Sequence, residues 1–196
     1  MLAKAASAVA TVGPALVLEL GAGTGALAAQ LLARSEIGRV ELLDIDPEML
    51  DRARARLEGH GGRVRFTVGS YEDALPGCDA IAASLALHHI PSLDAKTALF
   101  DRAFHAVGPG GLFVNADANM PADTDERDRL YRFWADHLVE HGIEETRAWQ
   151  HFAEWAEEDT YCPLEDELAA LARVGFEAQC TWRLGPIGVV VARRPG

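Results

Sequence analysis

The stretch that decides the fold is Leu16-Val17-Leu18-Glu19-Leu20-Gly21-Ala22-Gly23-Thr24-Gly25. Residues 16–20 form an apolar run too short for a helix, three glycines then alternate, and residues 26–34 resume with helical composition. That pattern is a buried strand, a tight turn and a helix N-terminus. Glycines in such a turn let the backbone take positive φ and approach a ligand closely, while the amides of the turn and helix start remain free to donate. A small polar ligand belongs there. Its kind depends on Glu19, because an acid two residues before the first glycine is a poor neighbour for a pyrophosphate and a good one for a cation. The dinucleotide fingerprint also places its third glycine three residues after the second, whereas here the spacing is Gly21-x-Gly23-x-Gly25.

The chain has 196 residues, 49% of them hydrophobic, enough for one domain with a full core. Its formal charge of −12 opposes a phosphate backbone, and no Lys/Arg cluster offsets it locally, so nucleic acid is not expected as a partner. Cys78, Cys162 and Cys180 are odd in number and unclustered, which suits a reducing compartment better than a disulfide framework or a metal knuckle. The first 20 residues contain a lysine and many small apolar residues, but a signal-peptide cleavage near Ala10 would leave almost nothing before the strand, and Glu19 interrupts the apolar run. A cytoplasmic location is expected. No uncharged apolar run of about 18 residues stands in the sequence to span a membrane.

The order acid-x-Gly-x-Gly-x-Gly at Glu19, Gly21, Gly23 and Gly25 resembles motif I of the class I S-adenosylmethionine-dependent methyltransferases. The resemblance implies that the turn, Ala22 included, passes under the methionine part of the cofactor and that Glu19 helps hold its ammonium group. Further on, residues 39–44 read as a second strand, and Asp44-Ile45-Asp46-Pro47-Glu48-Met49-Leu50 turns into a helix with Pro47 at its first position. Asp44 lies roughly twenty residues beyond the glycines, where a strand-end carboxylate accepts ribose hydroxyls. This phrase resembles the family's second motif, which implies Asp44 on the ribose and Ile45 and Met49 near the adenine; Asp46 reads as the helix N-cap. Residues 64–69 are a third strand. Where the family usually has an aspartate for the adenine amino group, this chain has Ser70, a loss of about 0.5–1.5 kcal/mol for one neutral hydrogen bond, with Ser70 or the backbone at Tyr71 as substitute.

Residues 79–84 are the fourth strand, and Leu85-Ala86-Leu87-His88-His89-Ile90-Pro91 follows. A loop at the carboxyl end of a strand beside the switch point of an open α/β sheet is where a ligand lies. The run 84–90 resembles the family's small-molecule branch. It implies Ser84 and Leu85 at the cofactor. By their chemistry His89 can act as a general base for a hydroxyl, thiol or amine and His88 can orient it; the alternative is that one of the two packs or caps the next helix. The pair is poorly arranged for one metal ion, and His137 with His141 lacks a third ligand, so no metal is expected. Residues 94–107 read as an amphipathic helix with Leu99, Ala103 and Phe104 inward, Gly108-Pro109-Gly110-Gly111 as the turn that ends it, and residues 112–117 as the fifth strand. That turn and strand make a fourth ordered match to the family.

Residues 121–161 break the alternation of strand and helix and read as two aromatic helices forming a lid, a pocket wall or a layer on the sheet. Asp117, Trp134, Trp155 and Tyr161 are the candidate substrate contacts, and aromatic faces beside acids suit an amine or other cation. Residues 163–174 read as a helix, and 176–184 with 187–193 as a closing hairpin that resembles the family's end. In the family a longer N-terminal region covers the cofactor. Here a minimal cap, the 121–160 segment, a partner subunit in a homodimer, or sequence preceding residue 1 would have to do so.

The expectation is therefore a single α/β domain over residues 1–196, a Rossmann-like three-layer sandwich whose seven-stranded, mostly parallel sheet ends in an antiparallel strand. It implies S-adenosylmethionine as cofactor and methyl transfer to a small-molecule substrate. Two alternatives stand beside it: a non-catalytic cofactor-binding or regulatory subunit, and an NAD-dependent oxidoreductase, which Glu19, the glycine spacing and the hairpin disfavour.

Overall fold

A computed structural model describes all 196 residues. Its centre is a seven-stranded sheet with strand order β3-β2-β1-β4-β5-β7-β6. The strands β1 (Leu16–Leu20), β2 (Arg39–Asp44), β3 (Val64–Val68), β4 (Cys78–Ser84) and β5 (Val107–Ala118) run parallel. β7 (Ile187–Arg193) inserts antiparallel between β5 and β6 (Glu177–Leu184). β1 is buried from Val17 to Leu20, as a central parallel strand covered on both faces requires. The order reverses between β1 and β4, which opens a crevice beyond their carboxyl ends.

Helices cover both faces. On one, α1 (Leu2–Ala10), α2 (Ala26–Leu32) and α3 (Pro47–Leu57) contribute Ala6, Val9, Leu27, Leu31, Leu50 and Leu57 to a core shared with Val17, Val40 and Val114. On the other, α4 (Leu93–Ala106) and α7 (Leu164–Arg173) bury Leu99, Phe100, Ala103 and Leu171 against Leu18, Ile81 and Phe113. α3 starts as its sequence dictates: Asp46 accepts from the amides of Glu48 and Met49, with Pro47 next.

The segment expected as a lid forms α5 (Thr124–Glu140) and α6 (Glu145–Trp155). Ala135, Ala148 and Phe152 make a small core of their own with Tyr131, Trp134 and Trp155 around them.

One local expectation is corrected. Gly108 to Gly111 do not form a turn between helix and strand, because α4 runs directly into β5 and the four residues belong to the strand. Val107 faces Cys78 and Leu112 faces Ala80, so five steps along β5 match two along β4. The extra chain is accommodated at Gly111, where a Cβ would stand 2.6 Å from the carbonyl oxygen of Asp79.

Candidate functional site

A cleft of about 820 Å³ opens where β1, β2 and β4 end. The glycine turn contributes Gly21 and Gly23, and the end of β2 contributes Asp44, Ile45, Asp46 and Met49. Gly69, Ser70, Tyr71 and Glu72 line it after β3, Leu85, Ala86 and His89 after β4, and Glu158 from beyond α6. The glycines are needed for two separate reasons. Gly21 and Gly23 both hold positive φ, +58° and +52°, and at Gly21 a Cβ would also fall 2.5 Å from that of Ala86.

Asp44 ties the turn to the sheet. One carboxylate oxygen accepts from the amide of Gly23 at 2.6 Å and the other from Asp46 at 2.9 Å, leaving two of about four lone-pair positions for a ligand. Glu19 lies behind it, only 2% exposed, with Oε2 lacking any hydrogen-bond partner. Burial drives its carboxyl up to about 8; the Ala28 backbone opposes the rise and the charge of Asp44 adds to it. A buried acid with an open oxygen is a place prepared for a cation.

Apolar surface stands beside these acids. Ile45 is 73% and Leu85 46% exposed, and Leu85 has φ +48°, making it the one non-glycine residue with positive φ. Such strain is characteristic of sites where the backbone serves a ligand. Ser70 uses its hydroxyl oxygen to accept from the amide of Glu72 at 3.0 Å, which shapes the loop after β3.

The histidine pair occupies a short 3₁₀ turn, Leu87–His89, beyond β4. His88 Nδ1 lies 2.5 Å from Asp117 Oδ1, while Asp117 Oδ2 accepts from the amides of Leu87 and His88. Burial opposes a charge on His88, yet the hydrogen bond and charge of Asp117, reinforced by Asp159, outweigh it and raise its pKa. Asp159 Oδ1 is 3.1 Å from His89 Nδ1 and 3.7 Å from His88 Nε2, and its other oxygen accepts from the Tyr161 hydroxyl at 2.5 Å. The amide of Thr160 donates to the carbonyl of His88 at 2.6 Å, pinning the segment after α6 onto the turn.

Over residues 17–111 the sequence matches the family model described as a methyltransferase domain. That match covers a little under half of the chain, and within it the chain is similar to methyltransferase domains. It is 38% identical over 108 residues to an uncharacterized methyltransferase of Mycobacterium tuberculosis, covering 55% of this chain and 52% of that one. The chain thus spans about half the length of the curated relatives of this kind. Among solved structures, an O-methyltransferase family protein from Burkholderia thailandensis superposes over 100% of this chain and 55% of its own, with TM-score 0.76 at 19% identity. Human N-acetylserotonin methyltransferase in complex with S-adenosylmethionine does so over 97% and 52%, with TM-score 0.65 at 20% identity. At those identities the likeness is one of fold.

The cleft fits S-adenosylmethionine, the cofactor that the sequence motifs imply, on its own chemistry. The orphaned oxygen of Glu19 suits an ammonium, the Gly21 turn leaves no room for a side chain, and Ile45 and Leu85 offer apolar surface to an aromatic base. Of the residues expected at the cofactor, Gly21, Gly23, Asp44, Ile45, Met49, Ser70, Tyr71 and Leu85 line the cleft, while Glu19, Ala22, Gly25 and Ser84 stand outside its lining.

The expected substrate contacts are placed differently. Asp117 is 2% exposed and turned to His88. Trp134 and Trp155 pack tilted against one another at 5.5 Å and against Phe152, because the α5–α6 hairpin needs them for a core of its own. Tyr161 lies beside the His88 ring at 5.7 Å and holds Asp159. None of the four lines the cleft. Asp159 and Glu158, which do reach the site, are absent from the residues that the sequence singles out for it. They stand in an acidic run whose composition describes an ordinary solvated surface.

No helix is long and apolar enough to cross a membrane.

Proposed function

We propose that this protein transfers a methyl group from S-adenosylmethionine to a small acceptor bearing a hydroxyl, thiol or amine, and that the acceptor lies against His89. The observation that carries this reading is the double placement of His89, which lines the cofactor cleft and also touches Asp159 of the charged cluster. The acid surface and the size of the cleft favour a small molecule over nucleic acid.

When bound, S-adenosylmethionine supplies a methyl group already activated on a sulfonium, so the chain has mainly to hold and align. Glu19 receives the ammonium, Asp44 the ribose, and Ile45, Met49 and Leu85 the base. Ser70 supplies what polar contact the missing aspartate would have made. His89 takes the acceptor's proton, and His88, fixed by Asp117, holds its neighbour in place. Alignment can be worth effective molarities of about 10⁵–10⁸ M, against a factor of about 10²–10⁴ from a general base. Loss of His89 should therefore slow the reaction without ending it.

Calorimetric titration with S-adenosylmethionine, S-adenosylhomocysteine and NAD, followed by labelled-methyl transfer to a panel of small acceptors, tests the reading. Binding of both adenosyl compounds, none of NAD, and turnover slowed in His89→Ala support it. Binding without turnover on any acceptor would favour a regulatory subunit, and NAD binding alone would overturn the assignment.

A further inference from the structure

The proposed acceptor site contains more ligating atoms than a single proton transfer needs. His88 Nε2, His89 Nδ1 and Asp159 Oδ1 all lie within 4.8 Å of one another. Two of the separations are 3.1 and 3.7 Å. Ligands on a tetrahedral zinc, with bonds of about 2.0–2.1 Å, stand about 3.4 Å apart. The expectation from sequence that this adjacent pair is poorly arranged for one ion concerns the two rings alone; Asp159, seventy residues beyond His89, adds a third ligand atom between them.

We infer that His88, His89 and Asp159 bind one divalent transition-metal ion of the zinc class, with an open position on the cleft side for the acceptor's hydroxyl or thiol.

Three independent features agree. The first is the surroundings of the ligands. Asp117 holds Nδ1 of His88, which leaves Nε2 as the atom that faces Asp159, the carboxylate–histidine arrangement that orients metal ligands. Tyr161 occupies Oδ2 of Asp159 and leaves Oδ1 toward the rings. The second is charge. The side chains of Asp117 and Asp159 are 2% and 7% exposed, and the nearby Lys96 is already paired with Glu167 at 2.5 Å. Neither Asp117 nor Asp159 is paired with a lysine or arginine, so a dication would balance their charge. The third is access. The side chain of His89 is 50% exposed and lines the cleft, so the site is closed on the protein side and open toward the ligand, as catalytic rather than structural zinc sites are.

This inference rests on the reading that the acceptor lies against His89, and it refines how that acceptor is handled. With the ion bound, His89 would be a ligand instead of the base; the dication would lower the pKa of a coordinated hydroxyl or thiol so that its proton passes to solvent water, which favours these acceptors over amines that stay protonated.

The test uses the full chain after chelator treatment, titrated with zinc chloride by calorimetry and with cobalt(II) by visible absorption, alongside S-adenosylmethionine binding. Expected are one ion per chain at micromolar affinity or better, loss of that binding in Asp159→Asn, and a weakening of about 10–100-fold in Tyr161→Phe, which removes only an outer hydrogen bond. His141→Ala, at the surface histidine pair, should leave the ion bound. No stoichiometric binding, equal binding in Asp159→Asn, or loss in His141→Ala would overturn the site. S-adenosylmethionine binding without metal binding removes the ion and leaves the methyltransferase reading intact. Metal binding without S-adenosylmethionine binding upholds the ion and defeats that reading.

Discussion

His88 Nδ1 and Asp117 Oδ1, 2.5 Å apart, latch the turn after β4 to the end of the neighbouring strand β5. Asp117 also accepts from the amides of Leu87, His88 and Ala118, so its charge serves four donors at once. In Asp117→Asn one oxygen becomes a donor facing donors. A hydrogen bond to a charged group contributes about 1.5–3 kcal/mol, and a loss of at least that size is expected as a lower denaturant midpoint with unchanged m-value. In the metal-free chain His88 is charged more readily when folded, so its contribution is complete below the unfolded pKa of 6.5 and fades as pH rises through the higher folded value. The variant should lose that fall in stability above neutral pH.

Glu19 makes the opposite kind of contribution to function. In the folded chain it keeps its proton up to about pH 8, against an ordinary value of 4.5. The stability it confers is fully present below about 4.5, declines as pH rises toward about 8 and is constant above that. Glu19→Gln lacks this titration, so its advantage in stability over the parent should grow across the same window. Affinity for S-adenosylmethionine should behave inversely, rising with pH in the parent as the carboxyl ionises and staying weak and flat in the variant. Thermal midpoints and calorimetric affinities at three pH values check both halves.

Gly21 and Gly23 separate backbone strain from crowding. Alanine at either position carries a positive-φ cost of about 1–2 kcal/mol, but only at Gly21 does the new Cβ meet a neighbour, Ala86, at 2.5 Å, whereas at Gly23 nothing lies within 4 Å. Gly21→Ala should therefore be clearly less stable than Gly23→Ala, and should also displace Ala86, a wall of the cleft. Equal unfolding midpoints would show that Ala86 yields without resistance.

Trp155 serves the α5–α6 hairpin, where it packs on Trp134 and Phe152. Replacing it by alanine should speed amide exchange within residues 124–155 while leaving exchange in β1 and β4 and the affinity for cofactor unchanged. Any rise in the acceptor KM would then reach the site through Asp159, four residues on. A uniform drop in protection across the sheet would instead mean that hairpin and body unfold together.

What could be read in the sequence was local. The glycine turn, the strand end at Asp44 and the cap at Asp46 each state their geometry within a few residues, and each stands where its spacing places it. The sheet followed, since alternating strands and helices with a closing hairpin leave few topologies. Partners distant in the chain were not legible. Nothing near His89 announces Asp159, and nothing in α4 announces that the fully buried Lys96 meets Glu167 of α7. Trp134 and Trp155 mislead for a related reason, because aromatic density marks either a wall or a core, and only the fold of the segment decides between them.

The chain between Ala118 and Asp159 rejoins the site through residues 158–161, whose contacts are to the cleft and the histidine turn. The segment packs largely on itself and meets the body at few places, those residues and Phe133 of α5 against the Gly185 turn. Changes within the interior of the helical pair therefore reach the cofactor half of the protein only through these few contacts.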